Sequence, residues 1–91
     1  MELKETVEMM KSDDYKERFK AEYYQTKERY EKLKAFNNKI EAGIRTQYDT
    51  SKRLEIPKHD CPDDLLRQQQ HIMGEYLGIL EVRAIIEGIE L

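Results

Sequence analysis

The feature that most constrains the fold is a seven-residue repeat in the first half of the chain. Two sets of side chains follow it: Phe19, Thr26, Leu33 and Ile40, and, offset by four residues, Tyr23, Tyr30 and Asn37. This spacing aligns side chains along one face of an α-helix, as in a coiled coil. It predicts a helix from about Asp14 to Ala42. Asp14 and Glu17 fit a capping box at its start, and Gly43 fits the left-handed position that ends it.

A second helix is predicted in the last third of the chain. Pro62 suits the first helical position, where a missing N–H leaves no bond unmade. Asp63 and Asp64 complement the positive end of the helix dipole, and the pattern continues to about Glu87. Apolar side chains surround more than half of this helix: Leu65, Leu66, Ile72, Met73, Tyr76, Leu77, Ile79, Leu80, Val82, Ala84, Ile85 and Ile86. One neighbour cannot cover such a wide surface, so we expect more than one partner.

Two glycines interrupt the apolar pattern of the second helix. Gly74 and Gly78 are four residues apart, and each disfavours a helix by about 1 kcal/mol relative to alanine. Their spacing indicates either a close approach of another backbone or glycines that tertiary contacts tolerate. The sequence leaves both explanations open.

The remaining segments connect and extend these helices. Residues 44–61 have no sustained period and contain Pro57, which predicts a connecting loop. The first dozen residues predict a short helix that ends near Ser12 and has one apolar face: Leu3, Val7 and Met10. The expected fold is all-α, an antiparallel helical hairpin over residues 14–91 with an N-terminal extension over residues 1–13.

Size and composition limit the core that this chain can build by itself. The chain has 91 residues, 38% charged and 38% hydrophobic. A chain of this size buries only about 60–65% of the surface that its unfolded form exposes. Such a chain is either a marginal monomer or shares its core with partners, and we favour the second. No apolar run reaches the roughly 18 residues of a membrane span, and residues 1–11 lack a signal-peptide layout, so we expect a soluble intracellular protein.

No pattern in the chain indicates catalysis, a metal site or a cofactor. Motifs for phosphate loops, dinucleotide binding and zinc proteases are absent. His59 and His71 are twelve residues apart, with no second ligand at metal spacing. Cys61 is the single cysteine, so it can form no internal disulfide, and no base lies beside it. We expect a protein that is not an enzyme and has no cofactor.

The net charge of −3 hides a basic middle segment. Residues 1–13 carry two Lys or Arg against four Asp or Glu, residues 14–59 carry twelve against eight, and residues 60–91 carry two against seven. The three segments thus have charges of −2, +4 and −5. This distribution argues against binding of long nucleic acids, which requires a strongly basic domain. It leaves room for a compact anionic ligand on the middle segment.

The first helix combines aromatic and basic side chains, and this mixture has two interpretations. The residues are Tyr15, Phe19, Tyr23, Tyr24, Tyr30 and Phe36, interleaved with Lys16, Arg18, Lys20, Lys27, Arg29, Lys32, Lys34 and Lys39. Aromatic faces stack on nucleobases and cations bind phosphates, which suits a nucleotide ligand. The same residues also fit a packed seam with a solvated basic face, and the pattern by itself favours that explanation. Tyr15 and Tyr24 lie off the centre of the seam and are the better stacking candidates.

Residues of both helices resemble the sequence pattern of a known family. They are Arg18, Phe19, Glu22, the run 30–36, Leu65, Leu66, Gln69, Met73, Tyr76, Ile79, Leu80 and Arg83. Over about residues 15–86 the chain resembles small bacteriophage helical-hairpin proteins. Its architecture resembles phage sponges that sequester cyclic-nucleotide immune signals in the anti-CBASS and anti-Thoeris systems. The resemblance implies a symmetric homo-oligomer of helical hairpins in the cytoplasm of a bacterial host. It also implies that ligand is held between protomers without turnover, and it carries over no individual ligand residue.

The leading hypothesis is a non-enzymatic phage protein that captures a small cyclic nucleotide or ADP-ribose-type signal at inter-subunit pockets. Its candidate ligand-binding residues are Tyr15 and Tyr24 for stacking, Arg18, Lys34 and Lys39 for phosphate or ribose, Asn38 for orientation, and Arg67, Gln70 and Arg83 to complete the pocket or tie the helices together. For Arg83 we favour pairing with a carboxylate of the first helix such as Glu22.

Two other functions compete with this hypothesis. The main alternative is a coiled-coil-like oligomerisation or adaptor module that binds a protein partner through the apolar face of the second helix. A small DNA-binding regulator is weaker, because no helix carries a basic face that would read bases.

Overall fold

The computed structural model describes residues 1–91 and contains three helices and no strand. Helix α1 spans Leu3–Met10, α2 spans Tyr15–Arg45 and α3 spans Asp63–Glu87. Tyr15, at the start of α2, donates a hydrogen bond to Glu87 at the end of α3, with 2.9 Å between the oxygens. The two long helices therefore run antiparallel. The molecule is elongated, with extents of 55 × 25 × 22 Å, and the predicted all-α class is confirmed.

Four residues of the predicted seam of α2 contact α3: Phe19, Tyr23, Tyr30 and Asn37. Every seam residue is buried or half-buried, and Phe19, Tyr23, Asn37 and Ile40 are buried. A compact core joins both helices and the residue after the turn that follows α3: Phe19, Tyr23, Leu77, Leu80, Ala84 and Ile89. The seven-residue repeat is confirmed as the face along which the hairpin closes.

The start of α2 is capped by Asp14, but not through the predicted capping box. The carboxylate of Asp14 accepts from the backbone N–H of Lys16 at 2.9 Å. The backbone N–H of Asp14 donates to the hydroxyl of Ser12 at 3.1 Å, which takes the place of Glu17 in a capping box. Glu17 instead forms an ion pair with Lys20 at 3.7 Å. The box was wrong because a nearer acceptor, Ser12, already satisfies that N–H.

The end of α2 lies three residues beyond the predicted position. The helix continues through Gly43 to Arg45, and Gly43 has no left-handed conformation. A Cβ on Gly43 would lie 2.7 Å from Cγ1 of Ile56, so this glycine makes room for the connection that folds back over the helix. The one left-handed glycine is Gly88, with φ of 71°, which ends α3 and returns Ile89 to the core.

The short N-terminal helix is present as predicted, and it docks on α2 through a polar contact. Thr6 is fully buried; its hydroxyl donates to the carbonyl oxygen of Leu3 at 2.6 Å and accepts from the side-chain amide of Gln25 at 2.8 Å. Val7 and Met10 are 43% and 51% exposed. Hydrophobic periodicity does not reveal this orientation, because a polar contact between Thr6 and Gln25 of α2 sets it.

The connection over residues 46–62 is pinned at both ends. Near its start, the hydroxyl of Thr46 accepts from the backbone N–H of Leu54 at 3.0 Å. Near its end, one ring nitrogen of His59 is 2.8 Å from the carbonyl oxygen of Pro57, and the other contacts the carboxylate of Asp63. Pro62 is the residue before the first helical residue of α3, one position earlier in the helix start than predicted.

Helix α3 leaves a second apolar face uncovered. Four side chains at seven-residue spacing form an outer stripe and are 52%, 54%, 58% and 78% exposed: Leu65, Ile72, Ile79 and Ile86. The expectation that one neighbouring helix cannot cover α3 is confirmed within the chain. None of the three helices combines the length and apolar character needed to cross a lipid bilayer.

Candidate functional site

A groove between α2 and α3 is the candidate site. Its volume is about 550 Å³, within the range typical of small-molecule sites, and its lining residues are Tyr30, Arg67, Gln70, His71, Gly74 and Glu75. We call it the central groove. It continues into a hollow of about 220 Å³ that shares Tyr30 and Gly74 and adds Lys27 from α2. Two of the predicted site residues, Arg67 and Gln70, lie together here.

Tyr30 and Gly74 form the meeting point of the two helices in this groove. A Cβ on Gly74 would lie 3.2 Å from Cε1 of the Tyr30 ring, so the missing side chain lets the ring lie close to the backbone of α3. Nothing lies within 4 Å of the same position on Gly78. Gly74 therefore serves a close approach, though of a side chain rather than a backbone, and Gly78 has no neighbour within the chain that explains it.

Arg67 is the cation of the groove that has no carboxylate partner. The eight ion pairs of the chain do not include it. His71 and Glu75, which also line the groove, pair with each other at 3.0 Å. A guanidinium without a partner can bind a phosphate or carboxylate through two parallel hydrogen bonds. The groove thus offers an aromatic ring, a free guanidinium and the amide of Gln70 within one cavity.

Tyr15 and Arg83 lie together at the other end of the hairpin, where they act as a clamp. Arg83 donates to the Tyr15 hydroxyl at 2.7 Å and to the carboxylate of Glu87 at 3.0 Å. Its guanidinium also lies 5.1 Å from the centre of the Phe19 ring. The hydrogen bond to Glu87 raises the pKa of Arg83. These contacts tie α2 to α3, the second of the two roles considered for Arg83.

The predicted pairing of Arg83 with Glu22 is wrong. Glu22 accepts a hydrogen bond from the hydroxyl of Tyr76, and Arg83 uses Glu87, four residues along its own helix. Three tyrosine–glutamate bonds link the helices: Tyr15 to Glu87, Tyr76 to Glu22 and Tyr23 to Glu81. Burial, followed by the bond to Glu81, raises the pKa of Tyr23 to about 12, so this hydroxyl stays a donor at neutral pH.

The other predicted site residues are scattered. Arg18 donates to the carbonyl oxygen of Ser12 at 2.9 Å and lines a separate cleft of about 340 Å³ between α1 and α2. The ring of Tyr24 packs edge-on against Tyr23, with 5.2 Å between ring centres. Three residues are simply exposed on α2: Lys34, Asn38 and Lys39. Tyr15 and Lys39 are 24 residues apart on one helix, about 36 Å, so one small ligand cannot reach both within a chain.

Sequence reasoning missed four residues of the central groove. Tyr30 was assigned to the seam alone, and His71, Gly74 and Glu75 were not assigned to a site. A signal was available: antiparallel pairing of the two helices places Tyr30 opposite Gly74, and a glycine facing an aromatic ring indicates a cavity or a close contact. No group of three or more His, Cys, Asp or Glu side chains is placed to hold a metal ion.

Comparison with known proteins identifies the family. A family model described as Sequestin matches residues 13–86, which include α2, the connection and almost all of α3. No curated protein and no solved structure shows significant similarity to the chain. The match spans the groove and both helices that form it, and it covers most of the chain. The chain therefore belongs to the Sequestin family.

Proposed function

We propose that the protein binds and sequesters a small anionic signalling nucleotide, of the cyclic-nucleotide or ADP-ribose type, and does not turn it over. The observation that carries this proposal is the unpaired Arg67 in a cavity that also contains Tyr30 and Gln70. The family name Sequestin supports a sequestering role. In this role the protein acts in the cytoplasm of a bacterial host, against a phage-directed immune signal.

Each groove residue has a role in this proposal. Arg67 binds a phosphate, because a guanidinium matches the geometry of phosphate oxygens. Tyr30 contacts the base or ribose, since an aromatic ring stabilises a stacked base by about 1–3 kcal/mol. Gln70 makes a directional hydrogen bond. Arg67 and Gln70 complete the pocket, one of the two roles predicted for them. Arg67 takes the phosphate-binding role predicted for Arg18, and Tyr30 replaces Tyr15 and Tyr24 as the aromatic contact.

The proposed site is completed by a second copy of the chain. Glu75 lines the groove and lies three and four residues from Ile72 and Ile79, so the groove borders the outer stripe of α3. A copy that packs on the stripe closes the open side of the groove. It also supplies residues that are too far away within one chain, such as Lys34 or Lys39.

Sequestration requires tight binding and no chemistry. A protein that lowers the free concentration of a signal acts by mass action, so it needs a dissociation constant below the signal concentration and a comparable number of sites. Interactions that stabilise the bound signal are sufficient for sequestration. Catalysis would require interactions that are stronger in the transition state than in the bound signal. We therefore expect the ligand to be recovered unchanged.

Native mass spectrometry with candidate nucleotides tests this function. We expect the purified protein to retain at least one member of a panel of cyclic dinucleotides, cyclic trinucleotides and cyclic ADP-ribose isomers, and to release it unchanged on denaturation. Arg67→Ala should weaken retention about ten- to hundredfold, the effect of one or two hydrogen bonds to a charged group. Arg53→Ala, on the exposed connection, is the matched control. A wild-type protein that ignores every nucleotide would contradict the proposal.

The oligomer is tested separately through the outer stripe. Ile79→Glu places a charge at the centre of the stripe and should convert the oligomer to monomers in native mass spectrometry and light scattering. Ile79 is 58% exposed in the chain, so the hairpin itself should stay folded. Ile44→Glu, at an exposed isoleucine near the end of α2, is the control. A monomeric wild type would refute the shared site.

The exposed stripe also favours the alternative, an adaptor that binds a protein partner. Apolar patches of this kind mark interaction surfaces in general. The two functions differ in what occupies the stripe: the sequestering protein buries it in its own oligomer, whereas the adaptor leaves it free. A wild-type monomer that binds no nucleotide would favour the adaptor.

A further inference from the structure

A buried amide lies directly behind the central groove. Asn37 of α2 is 7% exposed, and its side-chain nitrogen donates two hydrogen bonds, to the carbonyl oxygen of Leu66 at 3.2 Å and to Oε1 of Gln70 at 2.9 Å. The other amide atom, Oδ1, is buried without a partner. An unpartnered buried oxygen destabilises a fold, so packing alone does not explain an asparagine at this seam position.

The backbone of α3 determines which way both amides point. The carbonyl oxygen of Leu66 can only accept, so the atom of Asn37 that faces it must be the NH₂ group. The second proton of that NH₂ group then requires an acceptor on Gln70, which must be Oε1. With Oε1 held by Asn37, the NH₂ group of Gln70 is the end left for the groove that this residue lines.

We propose that Asn37 is a positioning residue that makes Gln70 a hydrogen-bond donor towards the ligand. Arg67 lies three residues before Gln70 and is also a donor only, so the two side chains form a donor pair on one face of α3. Such a pair selects a ligand that presents acceptors near its anionic group, such as phosphate oxygens, a base carbonyl or an unprotonated ring nitrogen. This inference rests on the proposed function and names the chemistry of its site.

The orientation of the amides can be tested without any ligand. Exchange of side-chain amide protons with solvent, measured by NMR, should be at least about tenfold slower for Asn37 than for its exposed neighbour Asn38. In the Ile79→Glu variant, in which we expect monomers with an open groove, the NH₂ group of Gln70 should exchange at a rate similar to that of the exposed Gln68. A Gln70 amide as protected as that of Asn37 would overturn the assignment. This result stands whether or not the protein binds nucleotides.

A double-mutant cycle tests whether Asn37 acts through Gln70. With cyclic di-AMP in one arm and cyclic ADP-ribose in the other, Asn37→Leu and Gln70→Leu should each weaken binding roughly tenfold, the effect of one hydrogen bond of average strength. The double variant should bind no more weakly than Gln70→Leu alone. If Asn37→Leu weakens binding as much in the Gln70→Leu variant as it does in the wild type, the proposal is overturned.

The controls separate positioning from folding. Asn38→Leu changes the adjacent exposed amide and should leave affinity unchanged. Asn37→Ala serves as the second variant if leucine disturbs the seam. If neither nucleotide binds to the wild type, the proposed function fails, and the exchange experiment still decides the orientation of Gln70.

Discussion

The two arginines of α3 have the same opportunity to form an ion pair, and only one of them does. Arg83 has Glu87 four residues after it and pairs with it at 3.0 Å. Arg67 has Asp63 four residues before it, an order that is more favourable on a helix, yet it forms no pair. The helix by itself would predict the opposite result.

His59 explains the difference between the two ends of α3. Its ring contacts the carboxylate of Asp63 and lies edge-on to Phe36, with 5.9 Å between ring centres. Asp64, the other carboxylate near Arg67, accepts from the backbone N–H of Leu65 at 3.0 Å. The carboxylates near Arg67 therefore bind other groups, whereas Glu87 accepts from Tyr15 through one oxygen and from Arg83 through the other. A residue of the connection thus occupies the carboxylate with which Arg67 could otherwise pair.

The largest expected effect comes from replacing each arginine in turn. Arg67→Ala should weaken nucleotide binding about ten- to hundredfold and leave the melting temperature unchanged, because the residue supports no contact within the chain. Arg83→Ala should leave binding intact and lower the melting temperature by a few degrees, since it removes the clamp on Tyr15 and Glu87. Calorimetric titration and thermal unfolding measure the two effects. If both variants lose binding equally, the division between the two ends of α3 is wrong.

The sequence predicts the role of a residue when that role is determined by neighbours on the same helix. The seam of α2 was predictable because hydrophobic spacing of seven is a property of one helix. The contact of Arg83 with Glu87 was also within reach, since a carboxylate four residues away was a closer candidate than Glu22. The absence of an ion pair at Arg67 could not be predicted, because it depends on His59, which lies in a segment without periodicity.

The two glycines near the middle of α3 differ in their surroundings, so alanine should have different effects at the two positions. Gly78→Ala meets no atom and should stabilise the chain by about 1 kcal/mol through helix propensity. Gly74→Ala gains the same propensity but places a Cβ 3.2 Å from the Tyr30 ring, so the ring must shift and the gain should be lost. Chemical denaturation of the Ile79→Glu background, in which we expect monomers, compares the two. Equal stabilisation would show that Tyr30 does not need the space.

Protonation of His59 provides the finest test of the difference between the arginines. Both ring nitrogens face acceptors, the carbonyl oxygen of Pro57 and the carboxylate of Asp63, so the doubly protonated ring satisfies both contacts. The bond to Pro57, followed by the bond to Asp63, raises the pKa of His59 above its usual 6.5. The stabilisation is therefore complete below about pH 6.5 and is lost as the pH rises through the raised value.

Loss of that proton should reach Arg67 through Asp63. A neutral His59 holds the carboxylate less strongly, which allows Asp63 to pair with Arg67 and compete with the ligand. We expect nucleotide affinity to fall severalfold as the pH rises through the titration of His59, the size of a surface ion pair on a helix. His59→Gln should remove this pH dependence, and Lys58→Gln, at an exposed neighbour outside the groove, should not. An affinity that is independent of pH in the wild type would mean that Asp63 stays away from Arg67 for a reason other than the charge on His59.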